Sequence, residues 1–358
     1  DGEEETVINL TVKPGMKQGW FGNAYGGYGS KDRYEGNAMV NRFVNNDQIT
    51  FMGGTNNTNN MGFSDMLKGI PSQVAAQASQ AARTGRGGGG RRGGFGAGSG
   101  ITSSGNAGLN FSKEFKPDKL TLGGNTRYSH SDNDARSKSD RQNILPGDSS
   151  SYDNSEAMSR TKSDNFGVDF RLEWKPDTMT QLIFRPSFSL SHSMNDNFSD
   201  ATTLDNERDT VNTNKSSNYS ESNGYNLNAS IDFSRKLNNK GRVFSATLSG
   251  GNSDSYSDGM NRSDIVYFNQ TDALKNSIID QRSRYDNKGF NYRAYVSWVE
   301  PIGHNNFIQA TYSISQRKQE ALKNVYNQDA DGIYNVLDSA YNQSYRNNFI
   351  SQRASLSF

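Results

Sequence analysis

From Gln48 to Phe358 the chain alternates apolar and polar residues in short runs, and two kinds of connection separate the runs. In 166–174, every second position is apolar: Phe166, Val168, Phe170, Leu172 and Trp174 are interleaved with Gly167, Asp169, Arg171 and Glu173. Successive side chains of a strand point to opposite faces, so this run predicts a β-strand with one greasy and one charged face. It ends at Lys175-Pro176-Asp177, residues suited to a tight turn, and a second alternating run follows.

Read in this way, the chain contains about twelve strands, near 17–28, 34–44, 48–56, 104–115, 119–130, 160–174, 178–193, 219–235, 241–254, 283–299, 305–318 and 343–358. A β-prone run, Thr6–Lys13, precedes them and is broken by Pro14-Gly15. Tight turns are expected at Asn45-Asn46-Asp47 and near residues 117, 176, 238 and 302, the last four roughly 60 residues apart. Between them, polar stretches such as 131–140, 195–214 and 253–264 predict loops of about 20–45 residues, too polar to fold by themselves.

The apolar face continues through Leu182, Phe184, Phe188 and Leu190, through Tyr225, Leu227, Ala229, Ile231 and Phe233, and through Phe290, Tyr292, Ala294, Val296 and Trp298. Opposite it stand Asp169, Arg171, Glu173, Arg185, Asp232 and Arg293, the candidate lumen-facing set, with Asn226 and Asn291. Trp174, Phe233 and Trp298 adjoin tight turns, at the level of an aromatic girdle. Two-faced strands, short turns on one side and long polar connections on the other predict an all-β fold, a transmembrane antiparallel up-and-down β-barrel.

Composition alone points elsewhere, since only 32% of residues are hydrophobic. A barrel strand shows lipid only at alternate positions, so a polar average is compatible with spanning, whereas no run reaches the ~20 apolar residues of a membrane helix. Lys plus Arg is 39 and Asp plus Glu 38, so no global field recruits nucleic acid. The absence of cysteine removes disulfides and thiolate chemistry. The first residues, Asp1-Gly2-Glu3-Glu4-Glu5, are not a secretory leader, so a processed or partial chain is expected.

Candidate chemistry is sparse. Gly88, Gly90 and Gly93 match G-x-G-x-x-G, but no strand leads into them, and the match reflects a glycine tract. Arg83, Arg86, Arg91 and Arg92 among those glycines suit a flexible loop, next to a short helix expected over 72–83. Asp329-Ala330-Asp331-Gly332 and Asp132-Asn133-Asp134 lack the spacing and closing Glu of a calcium loop and read as solvated loops. His130, His192 and His304 are isolated, so no metal site, catalytic triad or cofactor site is expected. Paired charges such as Asp169, Arg171 and Glu173 read first as salt-bridge ladders in a barrel wall and second as a substrate path.

The segments 6–13, Lys17-Gln18-Gly19-Trp20-Phe21-Gly22-Asn23, Gly26-Gly27-Tyr28-Gly29 and Asp32-Arg33-Tyr34-Glu35-Gly36-Asn37 resemble the plug-to-barrel junction of TonB-dependent outer-membrane receptors. The glycine-rich stretch through Gly93-Gly94-Phe95-Gly96 and Ser99-Gly100-Ile101-Thr102 is similar to the outer-membrane β-barrel family common in Bacteroidetes. The resemblance implies that 1–16 are the end of a plug domain and its junction. Residues 17–358 would then be a partial barrel, about 12 strands of a probable 22, with a Gly/Arg-rich extracellular loop near 58–102.

On that reading the chain is an internal fragment of a Gram-negative outer-membrane receptor that imports a bulky nutrient. Its expected partners are outer-membrane lipid, the plug, a TonB-type energising protein and a surface lipoprotein or other outer-membrane protein. It is not expected to be an enzyme or to bind nucleic acid or a cofactor. Phe358 after Ala354 and Leu356 suits the end of a complete twelve-stranded barrel, a competing expectation. The same alternation also suits a surface adhesion or structural barrel whose outer loops bind a partner, and a soluble β-sandwich.

Overall fold

The computed structural model describes residues 18–59, 100–145, 149–268, 276–303 and 306–358. The expected strand at 6–13, the helix at 72–83, the Gly/Arg tract up to residue 99 and His304 lie outside them. Thirteen strands form one antiparallel sheet: β1 Gln18–Tyr28, β2 Tyr34–Val44, β3 Asp47–Asn56, β4 Ile101–Lys116, β5 Leu120–Leu145, β6 Ser149–Trp174 and β7 Thr180–Leu204 come first. They are followed by β8 Thr210–Lys236, β9 Val243–Tyr267, β10 Ser277–Ile302, β11 Asn306–Gln328, β12 Tyr334–Leu337 and β13 Gln343–Ser357. Each strand pairs with its chain neighbour up to β12, and β13 then pairs with β11 over Gln309–Lys323, below the short β12. The sheet is up-and-down and open, with β1 and β13 as its lateral edges.

All twelve expected strands are present, and their tight turns use the anticipated chemistry. Asn45 takes φ 56° in the two-residue hairpin between β2 and β3, and Asp118 takes φ 57° between β4 and β5. Asn and Asp tolerate this left-handed backbone because their short polar side chains bond locally. Asp177 accepts the Met179 amide at 2.8 Å, and Asn238 accepts the amides of Lys240 and Arg242, both at 3.0 Å. The end of the sheet carrying these turns is the lower end.

The long polar loops are corrected by the structure. Residues 131–140 belong to β5, 195–204 to β7, 210–214 to β8 and 253–264 to β9. Asp132-Asn133-Asp134, expected in a loop, is likewise strand, opposite Arg160, Thr161 and Lys162. Neighbouring extensions have matching lengths, so every backbone ladder continues upward while the side chains turn polar on both faces. Those side chains bond across strands: Ser131 to Ser163 at 2.9 Å, Thr161 to Asn195 at 3.1 Å and Ser222 to Ser257 at 2.8 Å. Arg160 adds an ion pair to Asp132 at 2.7 Å and Lys138 one to Glu156 at 2.9 Å.

Register keeps the two faces in phase across the sheet. One row runs Asn41, Thr50, Asn110, Asn125, Asp169, Ser187, Asn228, Gly251, Asn291, Arg317 and Phe349, from β2 to β13. Every buried residue, from Met39, Asn41, Thr50 and Met52 to Ser297, Ala321 and Val325, lies on this polar face. Side chains converge and shield one another only on the inside of a bend, so the sheet curls toward its polar face. The apolar residues splay outward on the convex face: Trp20, Phe51, Leu109, Phe170, Trp174, Leu227, Leu248 and Trp298 are all exposed.

This convex apolar belt crosses the sheet obliquely. Its upper edge is Phe166 on β6 but Ile314 on β11, whose row leads back through Ala294, Leu248, Ile231 and Phe184 to Leu172, six residues further along β6. At the lower edge Trp20 on β1 shares a row with Phe170, whereas Trp298 on β10 shares one with Phe244 and Arg235, past Trp174. Pro186 lies in the belt on β7, where the pairing with β6 is interrupted between Ser187 and Phe184, as expected for a residue without an N–H.

Arg160 holds the Asp132 carboxyl below its ordinary value, chiefly through their hydrogen bond and further through charge. A lowered folded-state value means stability that is present above the unfolded value and lost as pH falls through the folded one. Amide exchange in 132–136 and 158–162 is therefore expected to accelerate below about pH 4, where unperturbed Asp protonates. In Asp132→Asn that acceleration should be blunted; an identical profile would assign the acid sensitivity to other groups.

Candidate functional site

The concave face is the part of the molecule whose polar groups the fold gathers, and all six residues selected from the sequence stand on it. Alternation places Asp169, Arg171 and Glu173 of β6 inward, and the register sets Asn125 opposite Asp169 and Asp232 opposite Ile183. Asp169 accepts Asn125 Nδ2 through Oδ2 at 2.8 Å, and its Oδ1 faces the Arg127 guanidinium at 3.6 Å. Glu173 accepts Arg171 Nη2 at 2.9 Å, Lys175 Nζ at 2.8 Å and Gln181 Nε2 at 2.8 Å. Arg185 donates to Asp232, which also accepts Thr247 Oγ1 at 2.8 Å.

Five of the six thus lie in ion pairs on β6 to β8, with Arg127 of β5 and Thr247 of β9 contacting them from either side. Arg293 does not join them. Its row continues through Ser249 on β9, Ser315 on β11 and Ser351 on β13. Near Arg293 stand two inward arginines that were not anticipated: Arg317, one row above, and Arg353, one row below. The signal for them was in the sequence, because Ile308, Ala310, Tyr312 and Ile314 set the phase that turns Arg317 inward.

The concave positions of β9, β10, β11 and β13 contain no Asp or Glu at all; their charged members are Arg293, Arg317, Lys323 and Arg353. Among the described residues, Arg317 makes one contact, Nη2 to Gln319 Oε1 at 3.5 Å, and all three arginines are exposed. Asp338, which accepts Gln281 and Asn327 at 3.1 and 3.0 Å, sits at the upper end of that face, away from them.

The convex face carries a separate feature at the upper edge of the belt. Asp164 accepts Tyr128 Oη at 2.6 Å and faces His130 Nδ1 at 2.8 Å, while His192 Nδ1 lies 2.8 Å from Asn223 Oδ1. Tyr128, Asp164, His192 and Asn223 border an open hollow of about 520 Å³ with Phe166, Leu190 and Tyr225. Among the described residues no group of three or more His, Cys, Asp or Glu side chains is arranged to hold a metal ion. In the 329–332 turn, Asp329 accepts the amides of Asp331 and Ile333 at 3.0 and 2.9 Å, so its carboxylate is occupied by its own loop.

No protein-family model matches the chain, and no curated protein matches it. The structure defines a class by architecture alone, an all-β antiparallel up-and-down sheet of the kind that closes into barrels.

The ion pairs of β6 to β8 are a modest source of stability. Arg185 and Asp232 side chains are 40% and 34% exposed, so solvent screening limits their coupling to about 0.5 kcal/mol in a double-mutant cycle with alanine. Arg293→Ala, with no acid to leave behind, is expected to shift stability by less than about 0.5 kcal/mol. Denaturant titration in detergent micelles checks both values.

Proposed function

We propose that the chain forms the wall of an outer-membrane barrel of the TonB-dependent receptor type, in a Gram-negative cell, serving uptake of a bulky nutrient. The observation that carries the membrane part is the inverted packing: polar residues are buried on the concave face and apolar residues exposed on the convex one. A water-soluble barrel or sandwich gains its stability from the opposite arrangement, with apolar side chains inside. A convex apolar belt meets its solvent requirement in lipid.

The obliquity of the belt supports the same reading. A shift of six residues at ~3.3 Å over five to nine strand spacings of ~4.8 Å corresponds to strands tilted about 25–40° from the belt normal, the range in which barrel strands cross a bilayer. Trp174, Phe233, Phe244 and Trp298 cluster at the turn side, with ring centroids 6.2 Å apart for Phe233 and Phe244 and 6.3 Å for Phe244 and Trp298. That is where an aromatic girdle meets headgroups.

The transport part rests on the likeness of 6–37 and 93–102 to TonB-dependent receptors. The role is passive: outer strands capture ligand, and the concave wall borders a plug and conducts. A second reading, a surface adhesion or structural barrel, is favoured by one observation, the polar extensions of β5 to β11, which present side chains well above the belt on both faces.

Refolded in detergent, the protein is expected to show the heat-dependent gel mobility of a barrel, and recovery in buffer without detergent would sink the membrane reading. Phe188→Arg, within the convex belt, should cost about 2–4 kcal/mol, whereas Ser189→Arg on the concave face should cost less than about 1 kcal/mol. In intact cells, crosslinking of the full-length protein to the TonB-type inner-membrane protein is expected; a folded barrel without that crosslink favours the adhesion reading.

A further inference from the structure

The concave wall is electrostatically divided, and the division assigns a ligand class. On β5 to β9, Arg127, Arg171 and Arg185 each have an acid in contact, so that half presents little net charge. On β10 to β13, Arg293, Arg317 and Arg353 stand on three successive rows with no acid among the concave positions of their own or adjoining strands. Unpaired cations this close repel one another, and such an arrangement is relieved by a bound anion.

From this we propose that the Arg293, Arg317 and Arg353 patch is a binding site for a multivalent oxyanion, a ligand bearing at least two carboxylate or phosphate groups. The inference rests on the proposed role of the concave face as the lining of a water-filled lumen, and it adds the chemistry of what that lumen admits.

Geometry sets the valence. Arg293 and Arg317 are one strand and two residues apart, a backbone separation of about 8 Å, and Arg353 lies about 12–14 Å from both. One small oxyanion satisfies a single guanidinium fork; three forks at this spacing suit a ligand whose anionic groups are themselves separated. The intervening side chains are Ser313, Ser315, Ser351 and Asn291, hydroxyls and an amide that donate to oxygen without adding charge. Tyr295, on the row of Arg353, adds a phenolic hydroxyl beside it. Nothing comparable occurs on β5 to β9, where an entering anion would have to displace Asp169, Glu173 or Asp232 from arginines already engaged.

The full-length protein in detergent micelles is titrated calorimetrically at low salt with inorganic tripolyphosphate and, in a second arm, with propane-1,2,3-tricarboxylate; the two arms separate phosphate from carboxylate preference. Binding in at least one arm is expected, weakened tenfold or more in R293Q/R317Q/R353Q and within about threefold of native in R185Q, with affinity falling as salt rises. The three single substitutions serve if the triple variant does not fold. No binding in either arm, binding that survives the triple substitution, or equal loss in R185Q overturns the assignment. Heat-dependent mobility measured on the same samples separates that failure from failure of the barrel reading: a sample that shifts on heating yet binds neither probe refutes the site alone.

Discussion

Phase-locked register is the constraint on which the other properties of this sheet depend. A strand slipped by one residue exchanges its two faces, carrying Leu227 and Ile231 inward and Asn226 and Asp232 outward. Over eleven consecutive strands no such exchange occurs within the apolar belt. Of the three register irregularities, Thr203/Leu204 and Asn327/Gln328 fall at strand ends above the belt, and Glu114/Lys116 falls at its lower margin, beside Phe115 and the Leu120–Trp174 pair. Phase is held through the middle of the belt and drifts only at strand ends.

Curvature converts that phase into function-bearing surfaces. Bending toward the polar face crowds Asn41, Thr50, Asn125 and Ser297 until they are buried; Thr50 donates to Asn41, Asn125 donates to Asp169, and Ser297 accepts from Gln309. The same bend spreads Phe170, Leu227 and Trp298 apart on the other side. Charges follow a second pattern superimposed on the first: acids on β6 and β8 neutralise their arginine neighbours, and the absence of acids from the concave positions of β9, β10, β11 and β13 leaves a cationic sector. Because the two halves of the concave face differ in sign balance, the field along that face is directed rather than uniform.

The polar extensions show where reading by periodicity stops working. Phe166 to Trp174 announced a strand because one face was apolar. From Asp164 back to Ser149 both faces are polar, so the period-two signal vanishes although the strand does not. Serine, asparagine and aspartate also favour turns and loops when solvated singly. Here each finds a partner on an equally long neighbour, as Ser131 does on Ser163 and Arg160 on Asp132, and the ladder prevails. Similarly, Asp169, Arg171, Glu173, Arg185 and Asp232 were legible as inward-facing because they interrupt apolar runs. Arg317 and Arg353 sit beyond weaker apolar runs, and their importance lies in what is missing around them.

The sequence by itself determined the strands of the belt, their lower turns and the segregation of apolar from charged side chains, since each is a matter of local alternation and turn chemistry. The tertiary structure decided which face is concave, how far the strands continue above the belt, that the belt runs oblique to the rows, and which arginines meet an acid. Those outcomes depend on register between strands far apart in the chain and on the bend they share, and neither is a property of any segment read alone.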